Sequence, residues 1–142
     1  MNAKGEVNFE LIQQGDLLPE LQIKMERETY FAYNRLIKNM NPLHSDKSYA
    51  NRLGYRDIVV AGVYTFSFIP KMIEDWAGAA AKVSGIEIKY GDPIYLGETI
   101  TQQARVTKKS SAGGKKLIEC EVLVRDHAGA LLTSAIVVVD FS

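Results

Sequence analysis

Ala61-Gly62-Val63-Tyr64-Thr65-Phe66-Ser67-Phe68-Ile69-Pro70-Lys71-Met72-Ile73-Glu74-Asp75-Trp76 carries no charge until Lys71. Val63, Tyr64, Phe66, Phe68, Ile69, Met72, Ile73 and Trp76 spread over most of a helical circumference. A helix that is apolar nearly all round belongs in an interior. The stretch reads as one long buried helix, with a kink or a late start where Pro70 withdraws a backbone donor.

The sequence after it supplies what could bury such a helix. Ile86, Ile88 and Tyr90 alternate with Glu87 and Lys89, the period of a half-buried strand. Gly91-Asp92-Pro93 and Leu96-Gly97-Glu98 break that strand. Thr99 to Lys109 alternates again, with Ile100, Gln102, Ala104 and Val106 on one face. After the turn Ser110-Ser111-Ala112-Gly113-Gly114, Ile118, Cys120, Val122 and Val124 share a face of the next strand. A second turn, Asp126-His127-Ala128-Gly129, leads to Ala130–Phe141, apolar on both faces around Ile136 to Val139 and therefore central or covered on both sides. Short turns between successive strands predict an antiparallel meander.

Before the helix the pattern differs. Leu17 to Met25 reads as a strand with Pro19 near its start, and Glu28 to Lys38 as a helix. Asp46 to Leu53 reads as a short helix capped by Ser45 or Asp46 and ended by Gly54. Asp57 to Val60 is a brief apolar connector. The fold class is α+β, one domain over residues 1–142, with an antiparallel sheet curled around a long central helix. One such sheet leaves edges and a face uncovered, which predicts a dimer.

Bulk properties exclude several classes. The chain has 142 residues, enough for one core, and is 46% hydrophobic and 24% charged. Its 17 basic residues balance 17 acidic ones, which argues against a phosphate-backbone binder. Lys108, Lys109, Lys115 and Lys116 flank the Gly-rich turn and read as a solvated hairpin tip. A single cysteine, Cys120, forms no intrachain disulfide and no zinc cluster, and no metal or redox cofactor is implied. Met1 to Glu6 lacks the apolar core of a signal peptide, and no apolar run is long enough to span a membrane. The expectation is a cytoplasmic protein.

One loop carries candidate chemistry. In Asn39-Met40-Asn41-Pro42-Leu43-His44-Ser45-Asp46, an Asn-Pro turn presents one of the chain's two histidines between two helical patterns. His127, the other, reads as a solvated turn residue.

Asn41-Pro42-Leu43-His44-Ser45-Asp46 with Ala50, Gly54 and Tyr55, and Asp92-Pro93-Ile94-Tyr95-Leu96-Gly97-Glu98-Thr99 after Ile86–Tyr90, resemble the MaoC-like hot dog-fold family. Gly15-Asp16-Leu17-Leu18-Pro19 is similar to that family's opening strand, so the likeness runs nearly the whole length. The resemblance implies a hot dog fold and R-specific hydration of enoyl thioesters or dehydration of 3-hydroxyacyl thioesters. In the family an Asp five residues before the His completes a catalytic pair, and here that position is Asn39. The central helix resembles the family's start at Gly62 and at the hydroxyl position Thr65, whereas Ala61 replaces a His. The run Gly54–Val59 is also similar to subunits or half-repeats that lack catalytic residues and pair with a catalytic partner.

The residues fit that chemistry as follows. An imidazole exchanges protons near neutral pH, so His44 suits a general base; otherwise it is a loop His bonding locally. Asn39 keeps the shape of an Asp but relays no proton. Gly62 at a helix start offers an N–H to a thioester oxygen, or is a glycine for close packing. Thr65 adds a hydrogen bond there, or bonds backward along its helix. Asn41 shapes the loop beside the substrate. Tyr33, Tyr55, Tyr64, Phe66 and Trp76 line an acyl tunnel or pack the core. The implied partners are an acyl-CoA or acyl-ACP thioester and a second subunit, a copy of this chain or a catalytically intact homologue. A hot dog thioesterase or acyl-CoA binder is the remaining alternative, set back by the Asn-Pro-x-His arrangement.

Overall fold

The computed structural model describes residues 7–79 and 81–142; the N-terminal residues read against a signal peptide, Met1 to Glu6, lie outside the described residues. Five strands, β1 (Leu21–Lys24), β2 (Lys82–Tyr90), β3 (Thr99–Ser110), β4 (Leu117–Arg125) and β5 (Leu131–Asp140), form one sheet. Every pairing is antiparallel and the order is β1-β3-β4-β5-β2. The alternation expected of β3 and β4 is observed. Ile100, Gln102, Ala104 and Val106, and Ile118, Cys120, Val122 and Val124, are all buried. The pairs Val106–Cys120 and Cys120–Val137 continue that apolar face across three strands.

The sheet departs from a simple meander. Only β3, β4 and β5 follow one another side by side, while β2 joins the far side of β5. The helical stretch before β2 lies on one face of the sheet, and β2 returns from it to the far edge. Strand β5 is interior to the sheet, yet Ile136 and Val138 on its outer face remain half-buried. Regular pairing of β1 begins at Leu21, and Leu17 makes only an isolated bridge to Arg105.

Among the described residues four α-helices precede β2: α1 (Arg27–Leu36), α2 (Lys47–Arg52), α3 (Gly62–Phe66) and α4 (Phe68–Ala77). Asp46, one of the two expected caps, accepts the Tyr49 N–H at 3.2 Å and starts α2. Gly54 follows α2 with φ +96°, a left-handed conformation that suits glycine.

The expected single helix is two. Pro70 has no N–H for the Phe66 carbonyl four residues back, and the chain re-forms its helix around Ser67. The Ser67 N–H is shared between the carbonyls of Val63 (3.3 Å) and Tyr64 (3.2 Å). Gln102 on β3 braces the new start, its Nε2 donating to Phe68 O at 2.9 Å. Nor is the stretch buried all round. Ile69, Met72, Ile73 and Ala77 face the sheet, whereas Val63 is 49% exposed and Phe66 and Phe68 are half-buried.

Two cores result. One packs Ile69, Met72 and Ile73 of α4 on Ala104, Val106, Ile118, Cys120, Val122 and Val137. The other gathers Met25, Tyr30, Ile58, Val60, Tyr64, Ile94, Ile100, Val124 and Leu132. Tyr64 lies edge-on to Tyr30 (5.2 Å), Tyr33 (5.0 Å) and Phe68 (5.4 Å), and Trp76 stands against Phe141.

The lysines at the β3–β4 turn are exposed, as expected of a hairpin tip, but they also make contacts. Lys109 Nζ donates to the carbonyls of Phe9 (2.9 Å), Glu10 (3.2 Å) and Ile12 (3.0 Å), clasping the N-terminal turn against β3. Lys116 pairs with Glu10 and Lys115 with Asp140.

Candidate functional site

The loop 39–46 is shaped by its own asparagines. Asn39 Oδ1 accepts the Asn41 N–H at 3.1 Å, and Asn41 Oδ1 accepts the Leu43 N–H at 3.0 Å. Such side-chain bonds to nearby backbone favour turns over helix or strand. Asn41 thereby caps a 3-10 turn, Pro42–His44, whose first residue has the fixed φ that suits a helix start.

That turn delivers His44 with both ends fixed. Its carbonyl accepts the Tyr30 hydroxyl at 2.8 Å and Asn34 Nδ2 at 3.3 Å. Tyr30 and Asn34 stand four residues apart on α1, on one face of that helix. The His44 ring places Nδ1 2.8 Å from Val59 O. A carbonyl only accepts, so Nδ1 carries the hydrogen and Nε2 holds the lone pair of the neutral ring. Among the described residues Nε2 has no hydrogen-bond partner. The Val59 carbonyl is itself held, because Val59 bridges Tyr95, Val60 N–H donates to Ile94 O (2.8 Å) and Leu96 N–H to Ile58 O (3.1 Å).

The start of α3 forms the other side. Ala61 has no side chain to cap it, and its N–H donates to the Tyr30 hydroxyl at 3.0 Å. Gly62 and Val63 then open the helix with N–H groups that have no intrahelical partner. The Tyr90 ring lies against Gly62. A Cβ there would meet Tyr90 Cζ at 3.0 Å, and the Tyr90 hydroxyl donates to Gly62 O at 3.1 Å. The Thr65 hydroxyl donates to the same carbonyl at 3.0 Å. Gly62 thus lies close against the Tyr90 ring, and among the described residues its N–H has no hydrogen-bond partner.

His44, Gly62 and Thr65 line one cleft of about 410 Å³, with Tyr55, Val59, Val60, Tyr90, Asp92, Ile94 and Thr133 among the other walls. Asp92 is the one carboxylate among the lining residues. Asn39 lies in a different hollow with Phe31, Asn34, Arg35, Lys38, Met40 and Ser45, and its Nδ2 reaches Asn34 Oδ1 at 3.5 Å. Asn41 is exposed and lines neither. Of the aromatics expected to line a tunnel or pack the core, Tyr55 lines the cleft, while Tyr33 and Tyr64 join the aromatic cluster of the second core. Burial pushes the phenol of Tyr30 above its ordinary range, so it remains a hydroxyl that both donates and accepts. Among the described residues no group of three His, Cys, Asp or Glu side chains could hold a metal, and no helix is long and apolar enough to cross a membrane.

Sequence reasoning missed Tyr30, Asn34, Val59 and Tyr90. The pairing of Tyr30 with Asn34 at helical spacing was a usable signal, since a polar residue on the buried face of a helix needs a partner. For Val59 there was none, because its backbone carbonyl does the work.

Residues 9–128 match the family described as MaoC like domain. The chain is 25% identical over 122 residues to the 3-oxo-4,17-pregnadiene-20-carboxyl-CoA hydratase beta subunit of Mycobacterium tuberculosis, covering 86% of this chain and 92% of that one. It is 28% identical over 123 residues, 80% of its length, to 3-hydroxyacyl-thioester dehydratase Y of the same organism, of which it spans 42%. It superposes on a chain of the ChsH1-ChsH2 complex from Mycobacterium tuberculosis with a TM-score of 0.83, at 24% identity, over 93% of this chain and 100% of that one. It superposes on the (R)-hydratase from A. caviae with a TM-score of 0.84, at 19% identity, over 94% and 99%. The architecture is the hot dog fold expected from the sequence.

Proposed function

From the premise that this chain belongs to the MaoC-like domain family, we propose that it is a subunit of an R-specific enoyl-thioester hydratase, acting in reverse as a 3-hydroxyacyl-thioester dehydratase. The observation that carries this reading is the His44 ring, tied through Nδ1 to Val59 O on the wall of a cleft shared with Gly62. In hydration, Nε2 takes a proton from water as its oxygen bonds to C3 of the enoyl group. The thioester oxygen gains negative charge, which the Gly62 N–H stabilises. The proton then goes to C2, and dehydration runs these steps backward. The imidazolium formed on the way keeps its Nδ1–H on the Val59 carbonyl, so its orientation survives the proton transfer. Thr65 has donated its hydrogen to Gly62 O and offers only lone pairs to a ligand. The substrate is an acyl-CoA or acyl-ACP thioester.

Asn39 favours a second reading. Its amide holds the loop but does not ionise, and a relative of matching length is named a hydratase beta subunit. On that reading the chain is the non-catalytic half of a heteromer with a catalytically intact homologue. Hydration of crotonyl-CoA, followed by loss of enoyl-thioester absorbance and by the chirality of the product, separates the two. The purified chain alone should form the (R)-3-hydroxy product. Activity that appears only on co-expression with a neighbouring hydratase-like chain supports the partner reading. Hydration in neither sample defeats both, and release of free thiol instead marks a thioesterase.

A further inference from the structure

We infer that the Tyr30 hydroxyl is a positioning group that sets the spacing between the His44 loop and the first turn of α3; this rests on the hydratase reading above. One oxygen makes both contacts. It donates to His44 O at 2.8 Å and accepts the Ala61 N–H at 3.0 Å. The two segments it joins carry the base and the charge-stabilising N–H of the proposed reaction. Among the described residues no other side chain bonds to both. Asn34 holds only the loop, Tyr90 and Thr65 only Gly62, and the His44 ring only Val59.

The phenol is held as a spacer requires. Tyr30 is 0% exposed, and its ring is set edge-on against Tyr64 at 5.2 Å and packs on Phe31 at 5.5 Å. Helix α1 supplies the rigid base, because the Tyr30 N–H donates to Glu26 O at 2.9 Å and begins the helical ladder. Without the hydroxyl, the Ala61 N–H loses its partner in a buried place, and water or a local shift must satisfy it. Proton transfer and charge stabilisation act on one bound substrate, and a misplacement of about 1 Å costs roughly a hundredfold in rate. The hydroxyl is buried and does not line the cleft, so its loss should appear in kcat and not in KM.

The test compares Tyr30→Phe with Val122→Ala, a buried change on β4 away from the cleft, with the thermal midpoint of each recorded. Tyr30→Phe should lower kcat for enoyl-CoA hydration by ten- to a hundredfold (about the range for a misplaced group), with KM within about threefold, while Val122→Ala keeps kcat. In ¹⁵N-histidine-labelled protein the slowly exchanging Nδ1–H signal of His44 should broaden or vanish in Tyr30→Phe and persist in Val122→Ala. A Tyr30→Phe protein that keeps both kcat and that signal overturns the inference. So does an equal loss of kcat in Val122→Ala at a matched drop in midpoint. A wild-type chain that hydrates nothing defeats the hydratase reading, and Tyr30 is then judged on the imidazole signal alone. If Tyr30→Phe does not fold, the wild-type protein decides: the Tyr30 hydroxyl proton should be a slowly exchanging resonance in contact with the Ala61 amide proton, and its absence overturns the proposal.

Discussion

Gly62→Ala sets opposed terms against each other at the centre of the site. The new Cβ would lie 3.0, 3.1 and 3.2 Å from Tyr90 Cζ, Cε1 and the hydroxyl oxygen, so the ring must give by a few tenths of an ångström. Tyr90 is 50% exposed, so its ring can swing outward and give its hydroxyl to water. The stability lost is one hydrogen bond to Gly62 O, about 0.5–1.5 kcal/mol. Against it, alanine is favoured over glycine in a helix by up to about 1 kcal/mol. The two nearly cancel, and the free energy of unfolding should change by less than about 1 kcal/mol. The rate does not share this cancellation. The added methyl stands on the cleft wall beside the Gly62 N–H, and the displaced ring lines the same cleft. Hydration should fall at least about tenfold, which is about 1.4 kcal/mol in the barrier. Urea denaturation and the enoyl-CoA assay measure the two halves on one preparation. A stability loss above about 3 kcal/mol would show that Tyr90 cannot move, contrary to its exposure. An unchanged rate would show that Gly62 is not at the reacting centre.

Asn39→Asp keeps the bond to the Asn41 N–H but sets a carboxylate oxygen against Asn34 Oδ1, now 3.5 Å from the amide nitrogen. Asn39 does not line the His44 cleft, so hydration should change by less than about tenfold, below the usual contribution of an acid-base group; a larger rise would place residue 39 at the reacting centre. Lys109→Met removes an ammonium from three carbonyls and should lower stability by about 1–3 kcal/mol in urea denaturation. An unmoved midpoint would mean that water serves those carbonyls equally well. Burial pushes the Cys120 thiol up to about 12, so the folded protein holds its proton where an unfolded chain, near 8.5, releases it. The contribution of this thiol to stability is complete below about pH 8.5 and is lost as pH rises toward 12. At pH 8, Ellman's reagent should react with Cys120 no faster than the protein unfolds, and rapid labelling of the folded chain would contradict its burial.

The strands were legible because their period is short and local. The faces of β3 and β4 follow directly from Ile100 to Val106 and Ile118 to Val124. The position of β2 was not, because β2 pairs with a strand more than forty residues later in the chain. The break at Ser67 was half legible. Pro70 announces a lost donor, while the place where the helix re-forms depends on Gln102 reaching Phe68 O from another element. In the site, His44 and Gly62 stand out through the family resemblance of Asn41 to Asp46 and of the start of the central helix, not through residue chemistry alone. The grip of Val59 O on the imidazole and the double bond of the Tyr30 hydroxyl are made by or to backbone atoms, which no residue type reveals. The bonds of Lys109 were hidden for the same reason, since its three partners are carbonyls of a distant turn.

Replacement of His44 by alanine tests the central claim most directly. The ring makes one hydrogen bond, to Val59 O, so His44→Ala should fold with only a modest fall in thermal midpoint. Its rate of crotonyl-CoA hydration, measured on the purified chain beside the wild type, should drop at least about a hundredfold, the lower bound for loss of a general base. A folded His44→Ala protein that keeps more than half of the wild-type rate would contradict the assignment of His44 as the base.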